Sequence, residues 1–179
     1  MIDKVLIEKK LRKIKEFLNE IKPVEINSLN EFKNNVMAKR FIERNIELCI
    51  EQMIDVCKHI VAGLDLKEPG SYGECFEIIS SNGIISEKSY KIYESMAKFR
   101  NLIIHSYDDI DDSIVYGIFK NHLSDFTDFI NEIRKYLDKD IWKNIKELET
   151  KMTKWFAGVV IAQTITIVGI VIALLKILH

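Results

Sequence analysis

The sequence predicts an all-α protein: an antiparallel bundle of four to five helices over residues 1–137, a short coiled-coil neck over 138–154, and a C-terminal transmembrane helix over 155–178. Three observations lead there. Apolar residues recur at helical spacing, no stretch alternates well enough to make a strand, and no charged residue occurs from Trp155 to Leu175. With two prolines and seven glycines in 179 residues, breaks are few and helices run long.

Ile2, Val5, Leu6, Ile14, Phe17, Leu18 and Ile21 mark a first amphipathic helix, closed near Pro23. Asn27 or Ser28 can cap a second, long helix whose apolar stripe, from Phe32 through Ile46 and Met53 to Ile60, runs on to Gly63. Lys67 to Gly73 reads as a loop. A short helix follows from about Glu74 to Ser80, and Asn82-Gly83 breaks it. Ser86 caps a helix that ends at Ile103 or Ile104 and carries Arg100 near its end. After the acidic turn Asp108-Asp109-Ile110-Asp111-Asp112, Asp112 can cap a last bundle helix from Ser113 to Leu137.

Charge narrows the function. All 27 acidic and all but one of the 26 basic side chains lie before residue 155, leaving those residues a formal charge of −2. That excludes a protein that clamps long nucleic acid by bulk charge; a nuclease here needs a local basic cleft. Cys49, Cys57 and Cys75 form no Cys-x-x-Cys pair, so neither a zinc ribbon nor a redox pair is indicated, and reduced thiols are the simplest reading. Nor is there a dense Asp/Glu/His cluster of the kind a two-metal nuclease requires; no metal and no cofactor are expected. The acidic turn reads as solvated turn and cap, because it lacks the glycine and terminal glutamate of an EF-hand.

The stretch that carries chemistry is Phe99-Arg100-Asn101-Leu102-Ile103-Ile104-His105-Ser106-Tyr107. Arg100 offers a permanent charge in a planar fork that fits phosphate oxygens, and His105 can move a proton near neutral pH. Tyr107 adds a hydroxyl that can donate a hydrogen bond or be modified. Positions five apart on an ideal helix differ by ~140° around the axis and ~7.5 Å along it. Arg100 and His105 would therefore not share a face if both were helical. Either the helix ends near Ile104 and His105 turns back, which the acidic turn favours, or a second subunit completes the pair.

From about Arg40 to Leu137 the chain resembles the HepT-like branch of the HEPN superfamily, helical ribonuclease toxins whose motif is Arg-x4-His-x-Tyr. Arg100, His105 and Tyr107 meet that motif in full. Arg40-Phe41-Ile42-Glu43-Arg44, Asp55-Val56-Cys57-Lys58-His59-Ile60 and Ser71-Tyr72-Gly73-Glu74-Cys75-Phe76 stand in the family's order and spacing.

The resemblance implies a HEPN-type bundle acting as a homodimer with two motifs facing one cleft. It implies an endoribonuclease that cleaves RNA without metal, by attack of the ribose 2′-hydroxyl on the adjacent phosphate. His105 would be general base or acid, Arg100 would hold the phosphate, and Asn101 would support one of them. It further implies a type VII toxin–antitoxin module in which an MntA-like nucleotidyltransferase antitoxin adenylylates Tyr107. Phosphate charge and adenine bulk would then cover Arg100 and His105. The alternative is a non-enzymatic HEPN-fold protein, membrane-anchored, that binds partners or serves as a scaffold. A soluble helical protein that assembles through its tail is a third reading.

Other candidates are structural. Asp55 and His59, four apart on a helix, are expected to pair. Glu43 with Arg40 or Arg44 reads as a helix-face charge network, and His122 as a surface residue. In the neck, Leu137, Ile141, Ile145, Leu148, Met152 and Trp155 step by three or four, near the period of a coiled coil. Gly158, Ala162, Thr166, Gly169 and Ala173 form a small-residue stripe beyond it. Length and apolarity point to a single-pass membrane anchor at 155–178, Trp155 at the interface, with Lys143, Lys146, Lys151 and Lys154 holding the catalytic domain in the cytoplasm.

Overall fold

The computed structural model describes residues 2–105 and 111–177, with side chains outside 104–105, 140–144, 166 and 168–177. Tyr107, Asp108 and Asp109 lie outside the described residues. Seven α-helices and no strand occur among the described residues. Two compact units result, Met1–Tyr136 and Leu137–His179.

Helix α1 (Lys4–Ile21) starts where Asp3 accepts a hydrogen bond from the Leu6 amide at 2.9 Å. Ile7, Leu11, Ile14, Leu18 and Ile21 are buried. Their three- and four-residue steps make one stripe, which packs along α3 (Val36–Gly63). The helix expected to run unbroken from residue 27 or 28 is two helices. Ser28 caps α2 (Leu29–Asn34), and Asn35, at φ −95° and ψ 80°, ends it and caps α3 by accepting from the Ala38 amide at 3.1 Å. The break needs no proline or glycine, because an asparagine side chain competes for local backbone donors.

Helices α3 and α4 (Tyr72–Ser81) end in the same way. The Leu66 amide donates to the Val61 carbonyl and Asp65 to Ala62; after α4, Ile84 donates to Ile79 and Gly83 to Ser80. These are Schellman closures, whose pivotal residue must be left-handed. Gly83 takes that place at φ 69°, and Asp65 takes it at φ 54° with a Cβ. Two residues before Asp65, a Cβ added to Gly63 would meet the Ile2 Cα at 2.9 Å, so the start of the chain lies against the end of α3.

Helix α5 (Glu87–His105) begins at the expected cap, with Ser86 Oγ accepting from the Ser89 amide at 3.1 Å. It continues through His105, beyond the expected end at Ile103 or Ile104, since nothing in Asn101 to Ile104 stops a helix. The last bundle helix is also two. Asp111, rather than Asp112, caps α6 (Asp112–Asn121) by accepting from the Ser113 amide at 2.8 Å. Asp112 instead pairs with Lys39 of α3. His122 ends α6 and pairs with Asp125 at 3.0 Å in the first turn of α7 (Leu123–Ile177).

The centre of the first unit holds Phe76, Tyr93 and Phe129, with ring centres 5.2 to 6.2 Å apart and two of the three pairs edge-on. Tilted and edge-on rings suit the aromatic quadrupole and add to area burial. Arg134 Nε donates to Glu8 at 3.2 Å, tying α7 to α1.

The second unit requires a correction. Among the described residues no helix is long and apolar enough to cross a membrane. The transmembrane helix at 155–178, the membrane as a partner, and the anchored localisation are therefore withdrawn. What is described is helix, with Trp155, Phe156, Ile161 and Ile165 exposed and Thr164 donating to the Val160 carbonyl at 2.8 Å.

Candidate functional site

Arg100 stands near the end of α5 and turns inward between α3 and α4. Its side chain keeps 15% of its exposure. Nη2 lies 3.7 Å from a Glu51 carboxylate oxygen, and Cζ lies 5.6 Å from the centre of the Tyr72 ring. At 3.7 Å the carboxylate attracts the charge without closing a hydrogen bond. Nε is buried with no hydrogen-bond partner among the described residues. The guanidinium is thus held beside a ring and a carboxylate.

A second cation approaches the same ring. Lys58 Nζ, from α3, lies 4.6 Å from the Tyr72 centre. Tyr72 is the first residue of α4, fixed there because Ser71 caps the helix. Glu51 and Lys58 are seven apart on α3, two turns, and so share a face.

Of the residues expected in the site, Asn101 is adjacent to Arg100 on α5 and exposed. The backbone of His105 is helical, and its side chain lies outside the described residues, as does all of Tyr107. The backbone puts His105 in the last turn of α5, five positions after Arg100, which on an ideal helix is ~140° around the axis. Glu51, Lys58 and Tyr72 were not singled out by sequence reasoning. The seven-residue spacing could have paired the first two; no sequence signal places Tyr72 against them.

The remaining charged candidates are structural. Asp55 accepts from Lys10 of α1 at 2.7 Å, in place of the expected pairing with His59. Arg40 donates to Glu43 at 3.2 Å, and Arg44 turns to Glu47 at 2.8 Å. The three thiols are free and buried. Burial, with some help from Glu20, pushes Cys49 up to about 12; burial and the hydrogen-bonded Cys75 raise Cys57 further. Such thiols are inert.

A helical bundle whose α5 carries Arg100 and His105 of the sequence motif Arg-x4-His-x-Tyr defines a protein of the HEPN class. The chain belongs to the HepT-like ribonuclease family, whose profile matches residues 7–133. It is 27% identical over 129 residues to the mRNA nuclease HepT of Shewanella oneidensis, covering 72% of this chain and 96% of that protein. Against the tRNA nuclease HepT of Aphanizomenon flos-aquae it is 26% identical over 136 residues, covering 76% and 92%. Among solved structures it is similar to a tri-AMPylated Shewanella oneidensis HEPN toxin in complex with MNT antitoxin, at TM-score 0.67 and 27% identity, covering 75% of this chain and 99% of that one. YutE of Bacillus subtilis, described as a cytosolic protein of unknown function, shares the fold at TM-score 0.68 and 22% identity, covering 78% and 93%.

Proposed function

We propose that this chain is an endoribonuclease toxin that cleaves RNA at Arg100 and His105 without a metal and is silenced by adenylylation of Tyr107. The observation that carries the reading is Arg100 itself, braced by Glu51 and Tyr72 with its buried Nε unpartnered among the described residues. The ribose 2′-hydroxyl attacks the adjacent phosphorus and the 5′-oxygen leaves, giving a 2′,3′-cyclic phosphate. His105 takes the 2′ proton or supplies one to the leaving oxygen. Arg100 offsets the charge that builds on the non-bridging oxygens, and Asn101 supports the phosphate from the exposed side.

Helical geometry sets Arg100 and His105 of one chain on different faces, so a working pair takes Arg100 from one protomer and His105 from its partner in a homodimer. The relatives named as nucleases of mRNA and tRNA support RNA as substrate. The solved tri-AMPylated HEPN toxin with its MNT antitoxin supports a nucleotidyltransferase of the MntA kind as partner and AMPylation as the modification that the motif assigns to Tyr107.

The test is RNA cleavage by the full chain in EDTA, with Arg100→Ala and His105→Ala proteins assayed separately and after mixing under subunit exchange. Cleavage lost in each variant and regained to about a quarter on mixing is expected, because half the dimers are hybrids and each hybrid holds one intact pair. Cleavage that survives either substitution would sink the assignment.

A further inference from the structure

Beside Tyr72, away from α5, the end of α3 and the loop before α4 enclose a pocket of about 670 Å³. Its volume falls within the range of small-molecule sites. Val61, Leu66 and Pro69 give it an apolar wall, and Lys58 and Tyr72 line it too, Tyr72 being the ring that Arg100 also approaches. The chemistry is uneven in an informative way. Two cations share one aromatic ring, an arrangement that costs repulsion unless anions come to both. Asp65 and Glu68 line the same pocket; they would repel a continuous run of phosphates and can accept from the exocyclic amino group of a base.

Resting on the ribonuclease reading, we propose that this pocket is a nucleotide subsite of the cleavage centre. The base of the nucleotide next to the phosphate held by Arg100 lies against Val61, Leu66 and Pro69. Lys58 leaves the Tyr72 ring to bind that nucleotide's second phosphate. Tyr72 sets the spacing between the two cations, so that the site reads two consecutive phosphates of a single strand and the nucleoside between them. A duplex, whose bases are stacked and paired, could not place one base in this pocket. The ligand class is therefore single-stranded RNA.

The experiment uses the full chain and two readouts. Binding is followed by anisotropy of a short fluorescein-labelled 2′-O-methyl RNA, which cannot be cleaved because its attacking hydroxyl is blocked. Turnover is followed on the matching unmodified RNA. Lys58→Ala should weaken binding and raise KM about tenfold, reduce the dependence of log affinity on log salt by about 0.7, and lower kcat by less than about twofold. Lys58→Arg should restore most of the affinity. Leu66→Asn should weaken binding with the salt slope unchanged.

Lys58 is exposed, and a thermal melt coincident with wild type checks that its variants fold. Equal affinity and KM in wild type and Lys58→Ala, with cleavage still lost in Arg100→Ala, would overturn the subsite and leave the ribonuclease reading standing. Lys58-dependent binding by a wild type that cleaves nothing would uphold the pocket and sink the ribonuclease. A wild type that neither binds nor cleaves would sink both.

Discussion

The two halves of α5 face opposite demands. At its start, one carboxylate of α7, Glu132, accepts from the Ser86 amide at 3.0 Å, from Ser89 Oγ at 3.1 Å and from Tyr93 Oη at 3.0 Å. Burial, with Glu132 close by, raises the Tyr93 phenol above its ordinary value, so it stays a donor. At its end, Arg100 meets a carboxylate beyond hydrogen-bond reach and keeps a buried donor without a partner among the described residues. A buried polar group normally has its partner inside the fold. Among the described residues the start of α5 obeys that rule and its end does not, which under the proposed reading gives stability and chemistry different turns of one helix.

Substitutions at the two ends should therefore separate activity from stability. The largest effect is expected from Arg100→Ala, which should cut RNA cleavage by about 10²- to 10³-fold while the melting midpoint changes little; a large fall in the midpoint would mean that Arg100 is structural. The mirror case is Glu132→Ala. It strands a buried phenol and leaves the α5 cap without its acceptor, a loss on the order of 2–4 kcal/mol, read by denaturant unfolding, with the kcat of the folded fraction retained.

Smaller effects sharpen the contrast around the open end. Glu74 accepts from Lys67 at 2.7 Å and from the Gly70 amide at 2.7 Å. The Lys67 hydrogen bond, then that of Gly70, hold its carboxyl below the usual range. Its contribution is present above the ordinary glutamate value of ~4.3 and lost as pH falls through the lower folded value. Melting midpoints taken from neutral pH downward should fall in that acid window, and Glu74→Gln should flatten the fall. The least effect, and the only favourable one, is expected from Asp65→Gly. Freeing the left-handed position of its Cβ should stabilise the fold by about 0.5–1 kcal/mol in chemical denaturation, against the general tendency of glycine to destabilise.

Much of this architecture is readable from local chemistry. The Ser28 and Ser86 caps, the stop after Ile21 and the turn at Asn82-Gly83 each depend on residues within a few positions of the event. The breaks at Asn35 and His122 escaped because an apolar stripe continues past them and neither is a proline or glycine. The pairing of Asp55 with Lys10 rather than His59 escaped for another reason: a partner 45 positions away becomes near only when α1 lies along α3. The motif at Arg100, His105 and Tyr107 was legible as a run of letters, but the ring and carboxylate that brace Arg100 come from two other helices. The apolar tail misled because length and absence of charge were its only evidence.

The contact between Ile2 and Gly63 has a practical edge. Gly63 is two residues before Asp65 and three before Leu66, both walls of the Tyr72 pocket, so the first residues of the chain buttress the turn that shapes it. An affinity tag fused just ahead of Ile2, or a leader that pulls this segment away, would alter the pocket at a distance. Protein prepared with a tag at the other terminus would leave that buttress in place.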